Sequence, residues 1–167
     1  MEDSFETAFR RREAQVLRIA YRMLGNWADA EDVAQEAFTR LHRQGLAGFS
    51  DDAGMGAWLC RVVANLCLDR LRRRSRWRGE VVEMPEIESA EAAVLGEERR
   101  RQLMAALERL PERERAAVVL REIEGLSTAE TAEAMGSTEG TVRSQISKAL
   151  DRLGELLAVA AAKERQR

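Results

Sequence analysis

Residues 126–153, LSTAETAEAMGSTEGTVRSQISKALDRL, decide how the chain is read. Ser127 and Glu130 stand three apart ahead of a short run, the spacing of a capping box, where hydroxyl and carboxylate each satisfy the other residue's backbone N–H. A short helix is predicted over 128–135. Gly136 supplies a turn, and Ser137 is placed to cap a second helix reaching toward residue 160. Ala129, Ala132 and Ala134 keep the first helix slim, so the two can cross closely. Val142, Ile146, Ala149 or Leu150, and Leu153 give the second helix one apolar face. Its other face shows Thr141, Ser144, Gln145, Lys148 and Arg152, with Arg143 on the flank. Such a face suits a major groove. Arg and Lys donate to guanine edges or phosphates, Gln pairs with adenine, and Ser and Thr bond to either. A helical hairpin with a merely solvated polar face has the same local pattern, so the rest of the chain must discriminate.

Upstream, Pro111 opens a helix predicted over 112–124 and ended by Gly125. Ser89 is a fair N-cap for a helix over 90–110. Residues 79–89, GEVVEMPEIES, carry four Glu and a Pro without sustained period and read as a linker. In the N-terminal half, a helix over 5–24 carries Phe9, Val16, Ala20 and Met23 or Leu24 on one stripe, and Gly25-Asn26 ends it. A second helix over 28–43 turns Ala30, Val33, Ala37 and Leu41 inward and gathers Asp29, Glu31 and Asp32 at its start, where the helix dipole favours acids. The Gly- and Asp-rich residues 45–56 read as a loop. A third helix runs from residue 57 into an arginine run, with Trp58, Val62, Leu66, Cys67 and Leu71 facing inward. No period-2 strand pattern occurs. The expected fold is all-α: two small helical domains, 1–78 and 90–167, joined by an acidic linker, 79–89, with the helix-turn-helix in the second.

Composition agrees. The 167 residues are 45% hydrophobic and 34% charged with two prolines, which favours soluble helix. No stretch is long and apolar enough to cross a bilayer, and the N-terminus lacks the apolar core of a signal peptide, so a cytoplasmic location with no membrane insertion is expected. Cys60 and Cys67 lie seven apart on one helix face, beyond disulfide reach, and are expected to be buried free thiols. His42 is the single histidine, and no cluster has zinc-ligand spacing. With no nucleophile–base pair or phosphate loop either, neither an enzyme nor a cofactor is expected.

The net charge of −2 looks wrong for a protein that grips DNA alone. Its distribution says more. Residues 61–78 hold seven Arg against one acid, and residues 80–98 hold seven Glu and no basic residue. The basic segment couples an amphipathic helix to Arg70, Arg72, Arg73, Arg74 and Trp77. Arginines neutralise phosphates, and aromatics stack on unpaired bases. Asn65 sits mid-helix, where its amide can bond a base edge or a neighbouring carbonyl. Charge runs are also common as solvated helix ends.

Taken together, these residues resemble the minimal sigma-70-type factors of the extracytoplasmic-function group, over nearly the whole chain. Residues 29–41, DAEDVAQEAFTRL, resemble the family's core-binding helix, with Asp32, Gln35 and Glu36 on its D-x-x-Q-E pattern. The resemblance implies docking on the clamp coiled coil of the polymerase largest subunit. Residues 57–74 resemble the melting and −10-reading region, which implies that Phe49, Asn65, the arginines and Trp77 meet melted DNA. The preceding loop departs from the family's F-R-G-x-S-x-F-x-T-W-L. Only Phe49, Trp58 and Leu59 hold, and the extra aspartates imply a loop tuned to a different element or less ordered. Residues 107–153 resemble the −35 reader, through Leu110-Pro111, Arg115, Leu120, Arg121, Gly125-Leu126-Ser127 and Gly140-Thr141-Val142. Ser137, Thr141, Arg143, Ser144, Gln145 and Lys148 are then the expected DNA contacts. Two positions commonly basic in the family are Gln145 and Leu150 here, which implies weak intrinsic DNA affinity. The implied partners are core RNA polymerase at its clamp and flap, promoter DNA, and an anti-sigma factor. A stand-alone helix-turn-helix regulator is the alternative.

Overall fold

A computed structural model describes residues 2–77 and 94–165. Among these residues the elements are α1 (Glu2–Leu24), α2 (Trp27–Gln44), a 3-10 turn (Leu46–Gly48), α3 (Asp52–Trp77), α4 (Val94–Glu108), α5 (Glu112–Val118), a π turn (Val119–Ile123), α6 (Thr128–Ala134) and α7 (Glu139–Glu164). No strand occurs among them. The expected linker and the Ser89 cap lie outside the described residues.

The first three helices pack on one another. Val16, Ile19, Ala20 and Met23 of α1 are buried with Ala30, Val33, Ala37 and Leu41 of α2, on which α1 packs. The turn between them is set by Asn26, which does more than end α1. Its side chain accepts from the Asp29 N–H at 3.0 Å and so caps α2.

Two expectations for α3 need correction. Its inner face is Leu59, Cys60, Val63, Ala64, Cys67, Leu68 and Leu71, while Trp58, Val62 and Leu66 lie half-buried at its edge. The residue-57 start is also wrong: α3 begins at Asp52. The Asp51 carboxylate accepts from the Gly54 N–H at 2.7 Å, and the Asp51 carbonyl accepts from the Met55 N–H at 3.2 Å. An aspartate N-cap thus outweighs Gly54 and Gly56 in the first turns of the helix. Cys60 and Cys67 are free and buried, and burial pushes their thiols up to about 11 and about 12. They stay protonated at neutral pH and are poor nucleophiles.

The C-terminal helices surround α7 with Leu107, Ala116, Val119, Leu120, Val142 and Ala149 fully buried. The predicted single helix over 112–124 is instead α5 followed by a π turn. The widened turn lets Glu124 N–H reach the Val119 carbonyl at 2.9 Å and swings the Glu124 side chain toward α1. The two halves therefore share one continuous core and several polar ties. The Glu124 carboxylate, nearly fully buried, receives Arg22 at 2.7 Å and Arg18 at 3.4 Å. Arg115 Nε donates to the Arg22 carbonyl at 2.8 Å. Arg61 of α3 pairs with Glu133 of α6 at 2.6 Å. No helix among the described residues is long and apolar enough to cross a membrane.

Candidate nucleic-acid interface

The helix-turn-helix is built from short-range bonds. Ser127 Oγ accepts from the Glu130 N–H at 3.1 Å, and Glu130 Oε2 accepts from the Ser127 N–H at 2.7 Å. Those bonds hold the Glu130 carboxyl below its ordinary range. Gly136 turns the chain at φ 57°, a conformation other residues enter only at a cost. The Ser137 N–H closes back on the Ala132 carbonyl at 2.8 Å, so Ser137 belongs to the turn. The cap of α7 is Thr138, one residue later than expected, whose Oγ1 accepts from the Thr141 N–H at 3.2 Å. The motif is braced from α5. Arg113 donates to the Met135 carbonyl at 2.9 Å, and Glu114, nearly buried, holds Arg152 at 3.1 Å.

Thr141, Arg143, Ser144 and Lys148 are exposed, whereas Val142, Ala149 and Leu153 face the core. Gln145 is half-buried at the border, its amide oxygen enclosed without a partner. Arg152 is taken up by Glu114, and Leu150 points outward, so Ala149 is the inner residue. The outer face of α7 is thus polar, mildly basic and open. Because the capping box supports the whole turn, Ser127→Ala is expected to cost about 1 kcal/mol. The check is a lower urea midpoint at unchanged slope; an unchanged midpoint would refute this bracing role.

In the other half, α2 and α3 bound a polar groove of about 520 Å³. It brings Asp32, Gln35 and Glu36 together with Arg70 and Arg73. Asp32 and Gln35 are exposed, and Glu36 pairs with Arg40 at 2.8 Å. Arg70 reaches Asp29 at 3.1 Å and Asp32 at 3.6 Å. Arg74 pairs with Asp29 and donates to the Leu24 carbonyl at 3.3 Å. Arg70 and Arg74 therefore knit α3 to α2. Asp29 is the hub of that knot, and sequence reasoning treated it only as a dipole-matched acid. The one signal available was that Arg70 and Arg74 stand four apart, on one helix face. Arg72 is exposed beside Asp69 at 3.6 Å, and Arg73 and Asn65 are exposed. Phe49 is half-buried, edge-on to Trp58 at 5.6 Å. Trp77 closes α3, and its side chain lies outside the described residues. No group of three metal-ligating side chains occurs among the described residues.

Comparison with known proteins matches this layout. Residues 8–77 fit the family profile of Sigma-70 region 2, and residues 100–153 that of Sigma-70, region 4. The chain is 38% identical over 155 residues to the ECF RNA polymerase sigma factor SigM of Mycobacterium tuberculosis, covering 92% of this chain and 77% of that protein. It is 38% identical over 161 residues to the ECF RNA polymerase sigma factor SigE of Mycolicibacterium smegmatis, covering 93% of this chain and 62% of that protein. The sigma factor RpoE of Bartonella quintana, solved with the anti-sigma factor NepR, superposes with a TM-score of 0.75 at 25% identity, over 93% of this chain and 98% of that one. With both regions in order and near-complete coverage, the chain belongs to the sigma-70 family, among the ECF RNA polymerase sigma factors.

Proposed function

We propose that this chain directs core RNA polymerase to promoters by a two-point grip. Residues 1–78 act as a core-binding and −10-reading domain, residues 79–89 as the linker, and residues 90–167 as the −35 reader. The exposed Asp32 and Gln35, with Glu36, offer an acidic and amide face to a basic partner helix on the polymerase clamp. Asn65, Arg72 and Arg73 face melted DNA, with Phe49 and Trp77 completing that surface. Arg70 and Arg74 act mainly by holding α3 against the polymerase-binding helix. Thr141, Arg143, Ser144, Gln145 and Lys148 enter the −35 major groove behind Ser137. The chain performs no covalent chemistry and works in the cytoplasm. Because RpoE was solved bound to an anti-sigma factor, we extend such control to this chain.

The observation that carries this reading is the sparse charge of an otherwise open α7 face. Few phosphate contacts give weak duplex binding alone, which tethering on polymerase would compensate through effective concentration. The test is run-off transcription on genomic templates with purified core enzyme, beside a gel shift with and without core. New specific transcripts and core-dependent binding are expected. Tight, specific duplex binding by the free chain would favour a stand-alone regulator, and absence of specific transcripts would overturn the reading outright.

A further inference from the structure

Across the start of α3 the sequence departs from the family's usual pattern at five of its eight fixed positions, and the structure shows what holds this turn in place. Arg12 of α1 reaches across to the first turn of α3. Its Nη2 donates to the Asp52 carbonyl at 2.8 Å and also to the Asp52 carboxylate. Its Nη1 donates to Gln15 Oε1 at 3.0 Å, which fixes the fork from behind. The guanidinium then lies flat over Gly56, where a Cβ would stand 2.7 Å from Arg12 Cζ. A side chain at position 56 would have to displace the guanidinium. Asp51 is the N-cap of the same turn, and Met55 is buried in the core. Asp51, Asp52, Met55 and Gly56 thus all serve to anchor the start of α3.

Asp52 pairs with Arg12, and Asp51 spends a carboxylate oxygen on the Gly54 N–H. The Asp52 charge is thus partly offset by Arg12, whereas the exposed Asp51 carboxylate accepts only from a backbone N–H, which does not cancel its charge. The chain enters this anchored turn from the 3-10 turn and Phe49, which rests on Trp58. We propose that Arg12 is a positioning residue for −10 recognition: its clamp on Asp52 and Gly56 holds the start of α3 and, with it, the Phe49–Asp51 edge that would read the −10 element. The inference rests on the function proposed above.

The clamp is tested with Arg12→Ala, Gly56→Ala and the double variant, alongside Asp52→Asn. The readout is the ratio of transcripts from the preferred −10 sequence to those from single-base variants, using holoenzyme. Core affinity and −35 dependence are followed in parallel. Arg12→Ala is expected to cut that ratio by about ten- to a hundredfold, the scale of misplacing a recognition group by about an ångström. Gly56→Ala should do the same by displacing Arg12, and it should add nothing once Arg12 is gone. Asp52→Asn, which keeps the carbonyl contact and the shape, should give a smaller loss. Unchanged −10 discrimination in Arg12→Ala would overturn the proposal. So would a Gly56→Ala effect that persists in the Arg12→Ala background, or a parallel fall in core binding and both promoter elements, which marks simple loss of fold. If the unmodified protein gives no specific transcript, the sigma reading itself has failed, and the two failures are distinguishable.

Discussion

Replacing Arg143 and Lys148 together by alanine is expected to abolish transcription from promoters that need a −35 element, while leaving binding to core polymerase unchanged. Both side chains are exposed on the outer side of α7, on either side of Ser144. Each contact to a base edge or phosphate contributes about 1–3 kcal/mol. Losing two weakens −35 engagement by roughly 2–5 kcal/mol, or about 30- to several-thousandfold. The fold should survive. The pair between Arg143 and Glu139 at 3.3 Å is exposed and one turn apart, and such pairs are worth little. The comparison is run-off transcription on promoters with and without a −35 element, beside a pull-down on core. Undiminished transcription would remove α7 from the DNA and leave its polar face as a merely solvated one.

The second large effect concerns stability and separates volume from charge at Arg115. This side chain is buried, and its Nε caps α1 by donating to the Arg22 carbonyl across the two halves. Burial is the main cause that lowers its pKa to about 10, against the partial compensation of Glu108. A depression of that size means the buried cation costs roughly 3 kcal/mol, an order-of-magnitude figure. Arg115→Ala leaves a void between α1 and α5, an unmet carbonyl and a half-buried Glu108 without its cation. A loss of about 2–4 kcal/mol is expected. Arg115→Met fills the space without burying charge and should cost less than about 1 kcal/mol. The sign with pH follows from linkage. Above about 10 the folded chain holds fewer protons than the unfolded one, whose arginine keeps its ordinary higher pKa, so this residue's contribution improves as pH rises. Below 10 the full penalty applies. Urea titrations at pH 7 and about pH 10.5 should therefore show the wild type gaining on Arg115→Met at the higher pH. Equal damage from both substitutions at pH 7 would show that the hydrogen bond, not the volume, dominates.

Local signals were read well from sequence, and long-range ones were not. The Ser127–Glu130 box and the Gly136 turn are set by neighbours three residues apart, so they were legible. The one-residue slip to Thr138 came from the Ser137 N–H, which closes the turn on Ala132. In α3 the run WLCRVVANLCL is apolar at most positions, so periodicity alone could not choose between the Trp58–Val62–Leu66 line and the Leu59–Val63 line that is buried. The arginine run gave its composition but not its partners. That Arg70 and Arg74 answer to Asp29, or Arg12 to Asp52, depends on pairings about forty residues apart, for which sequence spacing offers no rule. The π turn that carries Glu124 to α1 left no trace in the pattern at all.

The ties between the halves also set a limit of reach. A compact chain of this length has a radius of gyration of about 15 Å. Two promoter elements separated by two turns of B-DNA lie roughly 70 Å apart. A body closed by Glu124, Arg115 and Glu133 cannot touch both at once, whatever its affinity for either. The covalent stretch between Trp77 and Val94 has a contour length of about 55 Å, enough, with the two halves, to cover the distance. Of these ties, the exposed Arg61–Glu133 pair contributes little, while Glu124 and Arg115 are buried and hold the halves more firmly. On the function proposed above, engaging both elements at once would therefore require the Glu124, Arg115 and Glu133 ties to break.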